Sequence, residues 1–486
     1  MTDKQTLSVR DVQAGLKCRL CIGGRPPSDG IEAFVGTVAR SHRERLLQAF
    51  LREAQIEDLN DLRGANWTEK VRATTEHFRS GKRALLGPAF EFDNLRISLD
   101  LIEADDAGWS ITEVRSIAHI RSRHYTGAAI VIWALVSLGI PVHRYRLATV
   151  NTEWTGLDPE PRFVLTDVTE IALRRSEDLD ADIARLLKEA AKPTHPDGQP
   201  ENELYCEKHD PNRSVQTPSS LASLYRVKKR LIQQLRNNGV QRIEDIPEDT
   251  ALPPVATRQR QSLIEQRAVA SPKLEDALKK IGRPTVYIDF EAIQPALPPW
   301  NGCRPFATIP VQVSLHRLHS DGTLDHEQWI AKPHQDPRPE LARFLAKHLD
   351  EANTLVAYHA TFEQNIISRL AAYCSQDEGH TLKQANQRFV DLLPMVRDHV
   401  YHPDFRGRFN LKGVVHALLP ELRYDSLEVK RGDVASRLLE GLLLGDVDQN
   451  STDYNSIRKA LLEYCERDTL VLVRLEALLR QMAPRS

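Results

Sequence analysis

Three stretches of the sequence place carboxylates that could act together on a cation. In Val286-Tyr287-Ile288-Asp289-Phe290-Glu291, successive side chains of a strand point to opposite faces. Val286, Ile288 and Phe290 share one face, which suits a core, while Tyr287, Asp289 and Glu291 share the other. Two neighbouring carboxylates on one face of a central strand are unfavourable unless a cation lies between them. Hard oxygen ligands favour Mg²⁺ or Mn²⁺ in that role. A second face open to solvent is the plainer alternative. The C-terminal helix, about Tyr454 to Met482, argues against it. Its apolar stripe Ile457, Leu461, Tyr464, Asp468, Leu472, Leu475, Leu479 recurs at spacings of three and four, so Asp468 belongs to the core-facing side. Tyr464 lies one turn before it on the same face. Between these segments, Leu355-Val356-Ala357-Tyr358-His359 reads as a strand entering a turn. Glu363 follows at the start of a helix carrying Ile366, Ile367 and Leu370. Alone, a carboxylate there is often only a dipole-stabilising residue.

Two other groups could do chemistry. Cys18-x-x-Cys21 and Cys206-x-x-His209 have zinc-like spacing, with ordinary thiols as the alternative, whereas Cys303, Cys374 and Cys465 read as structural. Leu224 to Leu231 forms a basic helix followed by the turn Asn237-Asn238-Gly239-Val240, which could approach a phosphate backbone or form a solvated basic face. No Gly-x-x-x-x-Gly-Lys-Ser/Thr loop, Gly-x-Ser-x-Gly elbow or Gly-x-Gly-x-x-Gly fingerprint occurs. ATP-driven unwinding by this chain is thereby not expected.

The elements that must hold these residues are those of a multidomain α/β protein. A chain of 486 residues corresponds to about three domains. Hydrophobic residues at 41% and charged residues at 27% exclude wholesale disorder. A net charge of −2 neither argues for nor excludes nucleic acid. Residues 1–13 lack the apolar core of a signal peptide. The uncharged run Thr126 to Val142, broken by Ser137, Gly139 and Pro141, is short of the about 20 residues of a membrane span and reads as a buried helix leading into a turn. A soluble, cytoplasmic protein with no membrane partner is expected. Residues 1–191 read as α/β, with a helix over Ile31 to Ala54, an alternating strand Leu95 to Ile102, and a hairpin partner Trp109 to Val114 across Asp105 to Gly108. A strand Val142 to Val150 follows. Residues 192–220 read as a linker, 221–280 as a helical connecting region, and 281–486 as an α/β sandwich with strands at Thr285 to Phe290, Val311 to Leu318 and Leu355 to Tyr358.

From Pro284 onward the chain resembles the DnaQ-like (DEDD-type) 3′–5′ exonucleases of the ribonuclease H-like superfamily. Asp289-Phe290-Glu291, His359-Ala360-Thr361-Phe362-Glu363 and Tyr464-Cys465-Glu466-Arg467-Asp468 match their three motifs, the last in the tyrosine form. The segment more closely resembles an uncharacterised bacterial domain family of that superfamily, found C-terminal to RecB-like nuclease domains. Further matches are Pro310 to His316, Asp336-Pro337-Arg338, Val390-Asp391-Leu392 and Asn410-Leu411-Lys412. Glu363 departs from the Asp common in the second motif, but is also a hard ligand. The resemblance implies two-metal phosphodiester hydrolysis with Asp289, Glu291, Glu363 and Asp468 as ligands of Mg²⁺ or Mn²⁺ and Tyr464 orienting water. Arg338 and Lys412 become phosphate contacts, with surface charge as the plainer reading of each. Asp391 becomes an orienting residue or a helix cap.

The first 191 residues resemble the RecB-like PD-(D/E)XK nuclease core. Asp100 and Glu113-Val114-Arg115 match its metal-binding carboxylates and following basic residue, and Gly36 to His42 matches its histidine motif. Gly139 to Val142 and Val150 to Trp154 match later core elements. Arg115 stands where Lys is expected, and Ala128 to Trp133 lacks the expected Gln. The set His42, Asp100, Glu113, Arg115 therefore reads as a degenerate site. Relatives of this kind sometimes carry an iron–sulfur cluster on four cysteines. Here Cys18, Cys21 and Cys206 would be joined by His209, which favours zinc. The expected activity is metal-dependent 3′–5′ exonuclease action on DNA or RNA, with nucleic acid as partner, single-stranded or bearing 3′ ends. The alternatives are a catalytically inactive binding scaffold and an endonuclease working through the first domain.

Overall fold

The computed structural model describes residues 6–18, 31–56, 60–79, 84–156, 161–190 and 218–484. Those within 1–28, 39–214 and 294–307 form one compact unit, and those within 29–38, 215–293 and 308–486 form the other. Both units are α/β. Most of the expected linker, along with Cys21, Cys206 and His209, lies outside the described residues. Among the described residues no helix is long and apolar enough to cross a membrane.

The first unit holds a six-stranded sheet in the order β1 (Asn60–Asp61), β2 (Ala84–Leu86), β3 (Leu101–Asp105), β4 (Gly108–Arg115), β5 (Val142–Val150), β6 (Phe163–Asp167). Helix α1 (Ile31–Glu53) contributes its residues from Ala39 onward. β3 and β4 form the expected hairpin, and the parallel pair β4–β5 is joined through α2 (Ser122–Ser137). Ala128 to Ile132 and Ala134-Leu135 are buried, as their apolar run requires. Gly139, at φ +77°, ends α2 in a left-handed turn that turns the chain into β5. The alternating segment Leu95 to Ile102 is not one strand. Leu95–Ser98 pairs with Leu7–Ser8 and Ala89–Phe92 in a separate three-stranded sheet, and Leu101 opens β3. Asp100 sits at the crossing between the two sheets, where pairing partners change. Residues 294–307 also belong to this unit: Ala296, Leu297 and Phe306 pack with Leu47, Phe50, Val114 and Phe163.

In the second unit, the helical region packs α3 (Lys229–Asn237) and α4 (Pro254–Glu265) around Leu221, Leu235, Ile243 and Leu263. The five-stranded sheet has the order β9 (Leu324–Ile330), β8 (Ile309–Leu318), β7 (Thr285–Ile293), β10 (Thr354–Ala357), β11 (Phe389–Asp391). β7, β8 and β9 are antiparallel, and β7, β10 and β11 are parallel. Val286, Ile288 and Phe290 face a core shared with α5 (Pro337–Leu349) and α6 (Thr361–Leu370), as the alternation predicts. The other face of β7 is covered by α9 (Gly432–Leu444) and α10 (Thr452–Met482). Tyr287 is fully buried there, which removes the reading of an open second face. α10 turns Ile457, Leu461, Leu472, Leu475 and Leu479 inward with Tyr464 and Asp468. Burial of each aliphatic side chain contributes about 2 kcal/mol, enough together to offset burial of one carboxylate. Between β11 and α9 run α7 (Leu392–His399) and α8 (Leu411–Leu418).

Candidate metal centre

The centre forms where β7 outruns its parallel neighbour. β10 pairs only with Thr285 to Tyr287, so Asp289 and Glu291 extend past its end. Crevices beyond the carboxyl ends of strands are where open α/β sheets bind ligands. The β7–β8 ladder then shifts register after Glu291, where Pro310, which has no N–H to give, stands opposite Ala292. α10 brings Asp468 over this end. The carboxylate oxygens of Asp289, Glu291 and Asp468 lie within 4.8 Å of one another. Glu363 enters from the first turn of α6. The turn before it puts His359 at φ +69°, held by a hydrogen bond from its N–H to Asp391 Oδ1 at 2.8 Å. Asp391 Oδ1 also accepts the Leu393 N–H at 2.9 Å, so this residue is both helix cap and turn clamp.

All four carboxylates line a cleft of about 600 Å³ together with Tyr464 and Lys412. Their electrostatics are those of a site awaiting positive charge. Burial, then repulsion from Asp468, Glu291 and Glu363, holds Asp289 well above the carboxylate range. Burial and the Asp468 charge raise Glu291 to about 8. Burial raises Glu363 to about 7 and Asp468 to about 6. Asp468 is raised less because hydrogen bonding from Tyr424 and the Lys412 charge favour its ionised form, the Tyr424 hydroxyl lying 2.5 Å from Oδ1. Glu363 Oε2 is buried with no hydrogen-bond partner. A buried carboxylate oxygen lacking a donor, beside three crowded carboxylates, fits a divalent cation.

Lys412 is the cation that the fold itself supplies. Asn410 caps α8 by accepting the Gly413 N–H at 2.9 Å, which puts Lys412 in the first turn. Its Nζ donates to the Tyr464 hydroxyl at 3.2 Å and lies 4.7 Å from the Tyr424 ring centre and 4.9 Å from that of Tyr464. Burial lowers its pKa despite the nearby carboxylates. α9 begins against the same site: a side chain at Gly432 would come within 3.9 Å of Glu291 Oε1. The helix thus begins beside Glu291, and a helix N-terminus favours nearby negative charge.

Sequence reasoning missed several residues of the cleft. Tyr225 and Arg226 come from the helical region, Arg397 from α7, and Phe409 and Asn410 precede α8. Tyr424, which lies outside the cleft lining and donates to Asp468, has no motif of its own and is positioned by a 3₁₀ turn. The apolar run before Tyr225 marks a core but not this cleft. Arg338 is not among the cleft-lining residues. It is buried at the start of α5, bound to Asp336 at 2.6 Å and to the Tyr373 hydroxyl at 2.6 Å, with its guanidinium 4.4 Å from the Tyr373 ring centre.

In the first unit the motif residues do come together, but with arginine as their counter-charge. Asp100 is buried and accepts from Arg43 at 2.7 Å and from the Val114 N–H at 2.9 Å. Glu113 is buried and paired with Arg115, whose pKa is raised by the Glu113 and Asp100 charges against the effect of burial. His42 Nε2 lies 2.9 Å from Ser116 Oγ. Of the proposed cysteine–histidine ligands only Cys18 is described, and it is buried.

Residues 286–410 match a family whose description is "Domain of unknown function (DUF2779)". That span contains Asp289, Glu291 and Glu363 and ends before Tyr464 and Asp468. Over 227 residues the chain is 23% identical to "Uncharacterized protein MG366 homolog" of Mycoplasma pneumoniae (strain ATCC 29342 / M129 / Subtype 1), covering 43% of this chain and 34% of that protein. The chain therefore spans about a third of the length of this curated relative. No solved structure matches the chain.

Proposed function

We propose that the chain is a divalent-metal-dependent nuclease whose second unit trims 3′ ends of DNA or RNA by phosphodiester hydrolysis. The observation that carries this reading is the trio Asp289, Glu291 and Asp468, with oxygens within 4.8 Å of one another, in a cleft shared with Glu363 and Tyr464. The resemblance to DnaQ-like exonucleases in those same residues supports it. Asp289, Glu291, Glu363 and Asp468 would hold Mg²⁺ or Mn²⁺, and when bound these ions supply positive charge to the phosphate and activate water. The chain's own groups do the rest. Tyr464, with its pKa raised by burial and neighbouring carboxylates, stays protonated and can orient water by hydrogen bond. Lys412 adds fixed positive charge where negative charge develops. Tyr225, packed edge-on against the buried Phe409, adds an aromatic side chain to the cleft wall, and Arg226, over the Tyr225 ring, is a candidate phosphate contact. The volume suits a nucleotide-sized ligand. The test is digestion of end-labelled DNA and RNA by the purified protein with Mg²⁺ or Mn²⁺. Release of mononucleotides or short products from 3′ ends, abolished by chelator, is expected. No degradation of either polymer with either metal would leave the scaffold reading.

Lys412→Met should lower kcat about 10²-fold, the scale of losing one charge-stabilising donor. Steady-state kinetics on a short 3′-labelled oligonucleotide checks this. An unchanged kcat would mean that Lys412 serves only to neutralise Asp468 and Glu291.

For the first unit, the pairing of Asp100 with Arg43 and of Glu113 with Arg115 favours nucleic-acid binding without cutting. Two arginines already satisfy the charge that metal ions would otherwise balance. Circular single-stranded DNA should stay intact with the parent protein and with the Asp100→Ala, Glu113→Ala double variant alike. Circle cutting by the parent, lost in that variant, would make this unit an endonuclease. Arg121→Ala with Arg123→Ala, both exposed residues, should weaken binding and flatten its salt dependence.

A further inference from the structure

We propose, resting on the nuclease reading, that the helical region supplies the strand-binding surface of the carboxylate cleft. Arg226, Lys228, Lys229 and Arg230 form a basic lip that holds the phosphates of a single strand on the 5′ side of its reacting end. Tyr225 and Arg226 line the same cleft as Asp289, Glu291, Glu363 and Asp468. The chain then leaves the cleft and enters α3, where Lys229 and Arg230 occupy the first turn directly after Lys228. Four residues reach at most about 14 Å, so Arg230 stays close to the cleft wall.

Arg226 is built firmly into that wall. Its backbone lies at φ +52°, a strained conformation for a residue other than glycine. The fully buried Gln259 holds the turn from behind. Its Oε1 accepts the Tyr225 N–H at 3.0 Å, and its Nε2 donates to the Ser223 carbonyl at 2.9 Å. Gly407 packs so closely on the Ser223 carbonyl that a side chain there would collide, and Tyr225 meets Phe409 with ring centres 5.0 Å apart. The turn is thereby fixed to the segment that leads into Lys412.

The charge pattern calls for a polyanion. From Leu221 to Ile243 the chain has six cations and no carboxylate, although the whole protein has a net charge of −2. Exposed cations on other helices pair with acids four residues away, as Arg72 does with Glu76, Arg174 with Glu170 and Lys459 with Glu463. Arg226, Lys228, Lys229 and Arg230 are all exposed, and among the described residues none of them pairs with a carboxylate. Lys228, Lys229 and Arg230 also crowd the positive end of α3, where the helix dipole disfavours cations. Backbone phosphates relieve that repulsion and pair with the side chains together. A cleft of about 600 Å³ takes one nucleotide-sized end, so the strand that reaches the lip is single. Basic grooves of this kind follow a strand over about 4–16 nucleotides, which makes a polymer, and not a free nucleotide, the substrate class.

The test is fluorescence anisotropy of labelled oligothymidylate and oligouridylate, each of about twelve nucleotides, with the full chain in chelator. The variant Lys228→Ala, Lys229→Ala, Arg230→Ala should weaken binding at least about 10-fold at about 0.1 M salt, and reduce the slope of log affinity against log salt by about 2, three contacts at about 0.7 each. Arg226→Ala should weaken binding by itself. A control, Lys347→Ala, Lys383→Ala, Lys459→Ala, removes the same charge from exposed positions elsewhere in the unit and should bind as the parent does. With Mg²⁺, the lip variant should raise KM for the oligonucleotide far more than it lowers kcat, the mark of binding lost equally from ground and transition states. No binding of either oligonucleotide by the parent, a lip variant with the parent's affinity and salt slope, or a control that loses as much as the lip variant would overturn the surface. Binding that depends on the lip in a parent that degrades neither polymer would uphold the surface and overturn the nuclease reading instead.

Discussion

Asp289→Asn is expected to abolish nuclease activity, by at least about 10³-fold, while making the metal-free protein more stable. The two effects have one cause. Asp289 is crowded by Asp468, Glu291 and Glu363. Without a cation, its ionised form adds a like charge to a buried cluster, and the amide removes that charge at nearly constant shape. Relief of about 1 kcal/mol raises the melting temperature by about 2–4 °C in a domain of this size. The same substitution deletes a central ligand of the proposed metal site, so Mg²⁺ or Mn²⁺ should no longer raise the melting temperature. Melting curves at pH 8, with chelator and with added metal, read stability and binding together. Unchanged metal affinity, or a lower melting temperature in chelator, would show that the carboxylates are held by something other than mutual repulsion awaiting a cation.

The metal-free protein should also lose stability as pH rises from about 4.5 to 8, and added Mg²⁺ should reverse that loss. Folded-state values of about 8 for Glu291, about 7 for Glu363 and about 6 for Asp468 lie above those of the same groups in an unfolded chain. The folded state therefore binds more protons than the unfolded state across this window, and stability falls with rising pH. The contribution of the protonated carboxyls is complete below the unfolded values and is lost as pH passes through the folded ones. A drop of at least about 5 °C in melting temperature between pH 5 and pH 8 is expected. Bound metal favours the ionised forms, so its stabilisation should grow over the same range. A melting temperature that is flat or rising between those limits in chelator would contradict the burial and repulsion described here.

Three of the carboxylates that form the centre were legible from their place in a local period. Asp289 and Glu291 share one face of an alternating strand, and Asp468 interrupts an apolar helical stripe. Those periods also located β7, α2 and α10 to within a few residues. Glu363 was legible only beside the other two motifs, since a glutamate starting a helix has an ordinary explanation. The strand Leu95 to Ile102 failed as a single element because alternation reports which face is buried and not which neighbour is paired. Its two halves alternate alike but belong to different sheets.

What the sequence determined by itself was the set of side chains that cannot rest in a core without a partner: Asp289, Glu291, Tyr464 and Asp468 on one period-two strand and one helix of period 3.6. Tertiary structure alone decided who the partners are. Tyr424 and Lys412 reach Asp468 from segments more than forty residues away. Arg43, more than fifty residues away in the chain, neutralises Asp100 in the first unit. Ser314 and Thr469 hydrogen-bond His326 and His316 on neighbouring strands. Residues 294–307 join the first unit although they follow β7 directly in the chain. Local periodicity is written by the backbone repeat, two residues in a strand and 3.6 in a helix, which a single sequence displays. Charge compensation and burial depend on contacts between residues distant in the chain, and these come into being only when the sheets and helices pack.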